Sequence, residues 1–375
     1  MKKEDAASYV VYLLMIALAL ILGSFQSVYP PNEMNSYLFA FLVILGGLII
    51  NAVGLELGHL LGGLIGGYSI VSFNVFGLCI YKKEGKTKFG FKTFDGLTGE
   101  TILAPKKEKP NPKFYVWLPL ILYILELAAC ITLYTVGAQY KDVAHSPMRY
   151  LATISVILIA ISSMIALYNF VPVRLNSMTD GYRLTLISKP INVEAYNELM
   201  RVENLQREGK KVGDIRVFEQ VTDFTASINL ITVYEDLSKK DYDSALKIID
   251  MMIVEPTKIS KTTYYRLVCQ KLYIKILLEP IEEVRKYYDE QIDDKMRRFI
   301  SNDLSMESLR AYVLIAGILD ESLGEVEYAN SKKNKALKRS LASRAKIENQ
   351  LYDDAISKIK ELHPDWEIDL NPVKK

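Results

Sequence analysis

The sequence predicts a mainly α-helical membrane protein: about four transmembrane helices with a short β-hairpin insertion, followed by a cytoplasmic α-helical domain. Three observations lead there. Half of the 375 residues are hydrophobic, and the mean hydropathy is slightly positive, more apolar than a soluble chain of this length. The apolar residues gather in the first half and the charges in the second. Lysines crowd into one segment between two apolar runs. The net charge of +2 gives no global basis for a nucleic-acid partner. The lipid bilayer is the first partner to expect.

The first apolar run extends from Tyr9 to Gly23 and can reach Val28, long enough to cross a hydrocarbon core of about 30 Å. Lys2 and Lys3 resemble the start of a signal peptide, but Glu4 and Asp5 spoil it and no small-x-small cleavage site follows. A retained helix is therefore expected, closed by Pro30 and Pro31. The second span starts near Tyr37 and runs to about Ile65, the third from Tyr115 to Val136, and the fourth from Tyr150 to Val171. Nine lysines between Lys82 and Lys113 separate spans two and three, while the connections near Asn32 and Lys141 are poor in basic residues. The positive-inside rule puts the lysine-rich segment and both termini in the cytoplasm.

That segment also carries strand signals. Tyr68 to Tyr81 and Lys86 to Phe94 are rich in β-branched and aromatic residues, and Glu84-Gly85 can form the turn between them. From Asn192 the pattern becomes amphipathic. Asn192 can cap a helix ending at Gly209, and further helices fit Asp223–Leu237, Tyr242–Val254, Thr262–Leu278, Ser305–Leu323 and Ser343–Leu362. The run Asp241 to Leu246 is similar to the start of the second helix of a tetratricopeptide repeat, with Pro256 near the repeat end; a generic helical bundle accounts for the pattern equally well. The expected division is an N-terminal helix and loop (1–35), a membrane core (36–184) with its β-rich insertion at 68–94, and a helical domain (185–375).

Chemistry-bearing residues stand in two places. Span two holds Gly54-Leu55-Glu56-Leu57-Gly58-His59. Zinc peptidases use H-E-x-x-H on a helix because residues i and i+4 share a face, so both histidines reach one metal while the glutamate activates its water. Here Glu56 and His59 occupy the last positions and Leu55 stands where the first histidine belongs. Span four ends in Asn169-Phe170-Val171-Pro172, followed by Asp180-Gly181. Together, and with the glycines at 58, 62, 63, 66 and 67 and the β-rich stretch between, these motifs resemble the site-2-type membrane metallopeptidases from about Ser36 to Leu184. The expected topology agrees, since spans two and four both run from outside to inside.

The resemblance implies that Glu56 is the general base, His59 and Asp180 are zinc ligands, Asn169 orients a substrate backbone, and Pro172 shapes the helix end. The hairpin would present an edge strand to an unwound, membrane-associated peptide. Leu55 breaks this scheme, because leucine cannot ligate zinc and a catalytic zinc normally takes three protein ligands. Neither His145, expected outside the membrane, nor His363, in the helical domain, is an evident substitute, and Cys79, Cys130 and Cys269 form no metal-binding pair. Glu126 lies mid-span, either facing the same cavity or protonated and bonded between helices; Cys130 is expected in packing. Three functions follow as expectations: a degenerate peptidase that binds membrane-associated peptides or proteins; an active intramembrane zinc metalloendopeptidase with an atypical ligand set; or a membrane-anchored scaffold. In each, the helical domain can dock a cytoplasmic protein partner.

Overall fold

A computed structural model describes residues 9–17, 34–83, 86–91, 99–140, 142–143, 146–174, 178–208, 210, 212–340 and 342–368. The chain is mainly helical with one small antiparallel sheet and divides into two compact units, Met1–Arg201 and Val202–Lys375.

In the first unit, residues 9–17 form helix α1; the rest of the expected first span lies outside the described residues. Three helices are long and apolar enough to cross a membrane: α2 (Met34–Gly66), α3 (Lys113–Ala138) and α4 (Met148–Phe170). Small residues set how closely they pack, as expected where lipid gives no hydrophobic drive between helices. A Cβ added at Gly58 of α2 would lie 2.7 Å from the Pro119 Cα of α3, and one at Gly62 would lie 2.2 Å from the Phe114 carbonyl oxygen. Gly47 meets Leu158 and Ile161 of α4 in the same way. One polar cluster ties the three helices together. A carboxylate oxygen of Glu126 accepts from Asn51 Nδ2 at 3.1 Å and from Ser162 Oγ at 2.8 Å. Of the two expectations for Glu126, the structure has the bond between helices.

The sheet differs from the expected hairpin. The run Tyr68 to Tyr81 is two strands, β1 (Tyr68–Val75) and β2 (Leu78–Lys83). Phe76 and Gly77, at φ 50 and 86, make the turn, with the positive values that a tight two-residue hairpin requires. Strand β3 (Lys86–Phe91) pairs with β2, Lys83 opposite Lys86; the expected turn at Glu84-Gly85 lies outside the described residues. A fourth strand, β4 (Gly99–Pro105), was not expected and carries the sheet past residue 94. The order is β3-β2-β1-β4. The sheet lies along α2. Tyr68 is beside Gly66, Leu103 contacts Gly63, and Gly99 rests on the Glu56 side chain and the Asn74 carbonyl. From the end of α2, β1 therefore runs back toward the helix middle.

After α4 come α5 (Asp180–Ile187) and α6 (Pro190–Arg207). Asn192 does not cap α6 as expected: the helix begins at Pro190, whose missing N–H and fixed φ suit a first turn, and Asn192 Nδ2 donates to the Leu186 carbonyl at 2.8 Å. The Tyr68 hydroxyl donates to Asn197 Oδ1 at 2.5 Å and Asn197 Nδ2 to the Pro110 carbonyl at 3.0 Å, which joins α6 to the sheet.

The second unit is a helical assembly: α7 (Asp223–Ser238), α8 (Tyr242–Ile253), α9 (Lys261–Leu278), α10 (Ile281–Gln291), α11 (Asp294–Asn302), α12 (Met306–Leu314), α13 (Leu323–Leu337) and α14 (Ala342–Leu362). The expected single helix Ser305–Leu323 stops earlier. Its chain passes into a π-turn, Ile315–Leu319, whose extra residue seats Gly317 against Ile359 of α14. Local capping fixes most starts. At α7, the Thr222 hydroxyl accepts from Thr225 N at 3.2 Å and the Thr225 hydroxyl from Thr222 N at 2.7 Å. Thr222→Ala should therefore lower the melting point of the full chain by the loss of about 1 kcal/mol. An unchanged thermal transition would mean that α7 draws nothing from its cap.

Candidate functional site

Glu56 and His59 are three residues apart on α2 and both point inward, 4% and 5% exposed. Strand β4 closes over the first: Thr101 Oγ1 donates to a Glu56 carboxylate oxygen at 2.5 Å, and Gly99 is small enough to lie on the Glu56 stem. The start of α3 holds the second. His59 Nδ1 is 2.9 Å from the Tyr115 carbonyl oxygen, and the two rings stack at 4.3 Å. A carbonyl can only accept, so Nδ1 carries a proton; Nε2 is turned the other way, toward Asp180, whose Oδ2 is 3.1 Å distant, and donates to that carboxylate when the ring is protonated.

Asp180 reaches this point because the chain after α4 folds back on itself. Thr179 caps α5, accepting from Tyr182 N at 3.1 Å, and its oxygen is 2.8 Å from the Val171 carbonyl. Gly181 sits so close to the end of α4 that a Cβ there would be 2.1 Å from the Phe170 carbonyl oxygen. Asp180, in the first turn of α5, also receives Arg183 Nη1 on Oδ1 at 3.0 Å. Arg183 in turn lies over the Tyr115 ring, 5.4 Å from its centroid. Burial alone would push the Asp180 carboxyl up. The protonated His59 ring and the Arg183 guanidinium outweigh it and hold it below the usual carboxylate range.

The structure thus brings together His59 and Asp180, with Glu56 one turn away, although the two motifs are far apart in the chain. The other residues singled out stand elsewhere. Leu55 is buried hydrocarbon. Asn169 donates its amide to the Ile165 carbonyl at 2.9 Å, within its own helix. Pro172 is exposed just beyond the end of α4. His145 lies outside the described residues. Thr101, Tyr115 and Arg183 belong to neither motif. Only Arg183 left a local signal, standing i+3 from Asp180 on the same helix.

No family model, curated protein or solved structure matches this chain.

His59 is oriented as a metal ligand would be, Nδ1–H fixed on a carbonyl and Nε2 free of the backbone. The rest of the donor set does not fit a catalytic zinc. Nε2 and Asp180 Oδ2 are two donors, and among the described residues no group of three or more His, Cys, Asp or Glu is placed to share an ion. Glu56 is held by Thr101. A guanidinium already occupies the other oxygen of Asp180, and a cation there opposes a divalent ion. The arrangement is a closed chain of hydrogen bonds and opposite charges, His59–Asp180–Arg183, stacked against Tyr115. It suits a rigid junction between α2, α3 and α5.

Proposed function

We propose that this protein is a membrane-embedded, site-2-peptidase-like chain that has lost zinc catalysis and holds membrane-associated peptides in an extended form. The observation that carries the reading is the engagement of His59 Nε2 by Asp180, itself held by Arg183, with Leu55 at the position of the missing histidine. A second feature supports the peptide. Strand β4 is a terminal strand of the sheet, packed against Glu56, and among the described residues no strand pairs with its other edge. An extended segment can add there by main-chain hydrogen bonds. In this reading the chain crosses the bilayer four times, with α1 as part of the first crossing. The unit from Val202 to Lys375 stands in the cytoplasm as a docking module built on tetratricopeptide-like helix pairs.

Elemental analysis of the purified protein tests the carrying point. The unmodified chain should hold essentially no zinc. Leu55→His should raise zinc content, since it adds a second imidazole on the face of His59 and leaves Glu56 as base. Asp180→Ala in that background should abolish the gain. Stoichiometric zinc in the unmodified chain would overturn the proposal in favour of a working endopeptidase.

A further inference from the structure

One face of the β2–β3 hairpin is left bare. Cross-strand pairing sets Leu78 opposite Phe91 and Ile80 opposite Phe89, so these four side chains share a face. Leu78 is 61% exposed, Phe89 77% and Phe91 83%, with Ile80 and Phe76 also open. On the opposite face Cys79 of β2 and Ser72 and Asn74 of β1 are buried, while Lys86 and Lys88 of β3 are exposed. A contiguous patch of this kind, with two phenylalanines nearly free of contacts, is rare on a surface facing water.

Its place along α2 says what covers it. Leu78 pairs with Val75, next to Asn74, whose carbonyl lies with Gly99 against Glu56. Glu56 is ten residues before Gly66, the end of the spanning helix (66 − 56), or roughly 15 Å along it. The apolar end of the hairpin is thus level with the interior of a membrane helix. The other end, where Lys82 is opposite Thr87 and Lys83 opposite Lys86, lies closer to the helix terminus, because β1 starts beside Gly66 and β2 runs back alongside it. There stand Lys82 on the apolar face and Lys86 and Lys88 on the reverse face, all exposed. Apolar residues at hydrocarbon depth and lysines at the boundary match the two zones of a bilayer.

We propose that the hairpin face is bedded in the bilayer that holds α2, with Leu78, Phe89 and Phe91 among acyl chains and Lys82, Lys86 and Lys88 on anionic headgroups. The hairpin is then an interfacial anchor that fixes the depth of the sheet, and with it of β4, beside Glu56. The inference rests on α2 crossing the membrane and is independent of whether the site binds zinc or peptide.

Brominated-lipid quenching in vesicles tests it on the full chain. Trp117 and Trp366 are first replaced by Phe, and a single reporter is introduced as Phe91→Trp or, in a second variant, Phe89→Trp. In phosphatidylcholine vesicles each reporter should lose most of its fluorescence to acyl-brominated lipid and be poorly reached by aqueous acrylamide. A Thr87→Trp reporter near the lysine end should show the reverse. Adding phosphatidylglycerol should increase the acyl quenching at position 91, and K82Q/K86Q/K88Q should remove that increment. Reporters at 89 and 91 open to acrylamide and untouched by brominated lipid would overturn the anchor. So would reporters shielded from both and crosslinking to a second copy, which would make the patch an interface between chains. Equal quenching with and without phosphatidylglycerol would overturn the anionic headgroup contact.

Discussion

Gly62→Ala should lower the stability of the purified protein by about 3 kcal/mol, the upper end of the usual cost of overpacking. The added methyl would lie 2.2 Å from the Phe114 carbonyl oxygen and 2.8 Å from its carbon. Both are backbone atoms, so no side chain can swing aside, and α2 and α3 must separate. Separation also moves Tyr115, the neighbour of Phe114, whose carbonyl holds His59. The helix supplies its own controls. Gly46→Ala and Gly54→Ala each place the methyl in open space and should stay within about 0.5 kcal/mol of the parent. Thermal denaturation of all three variants in one detergent separates the cases. Coincident melting of Gly62→Ala and Gly54→Ala would show that α2 and α3 do not pack as described.

Breaking the buried ion pair of the helical unit should have a comparable or larger effect. Arg310 of α12 is fully buried. One of its nitrogens binds Glu348 of α14, and another donates to Gln270 Oε1 of α9 at 2.8 Å. Its guanidinium also lies over the Tyr273 ring. Glu348→Ala leaves that cation in an apolar interior without its counter-charge and should cost about 3–5 kcal/mol. The double replacement Arg310→Met with Glu348→Leu removes both charges while keeping volume, and should recover most of the loss. Denaturant unfolding of parent, single and double variants gives the comparison. A double variant as unstable as Glu348→Ala would mean that geometry, not charge burial, dominates at this junction.

Much of the architecture was written in local sequence. Apolar runs long enough to cross a bilayer mark α2, α3 and α4 within a few residues, because hydrocarbon length and apolar length must match. In the second unit α7, α8, α9 and α14 begin where the periodicity says, three of them after a capping Thr222, Asp241 or Ser260. Helices α10 and α11 share one reason for being invisible in the sequence. Helix α10 buries only Val284, and α11 only Met296 and Ile300. So few core residues give no readable period, and helices this short form only through tertiary packing. Helix α13 buries Val326, Ala329 and Ala336 together with the polar Asn330 and Lys333, and these two interrupt the apolar period of its inner face.

The sequence by itself determined the three helices apolar enough to cross a membrane, the two halves of the chain and the residue types at the candidate site. Each follows from composition and short spacings: an i, i+3 pair on α2, an Asp-Gly at the start of α5. Only the tertiary structure decided what those residues do to one another. That His59 Nε2 is engaged by Asp180 and that Thr101 holds Glu56 both depend on elements distant in the chain. So does strand β4, whose Gly99–Pro105 has little strand signal until β1 pairs with it residue by residue. Local spacing fixes which side chains share a helix face; distances between elements are set by glycine contacts and backbone crossings that no local period encodes.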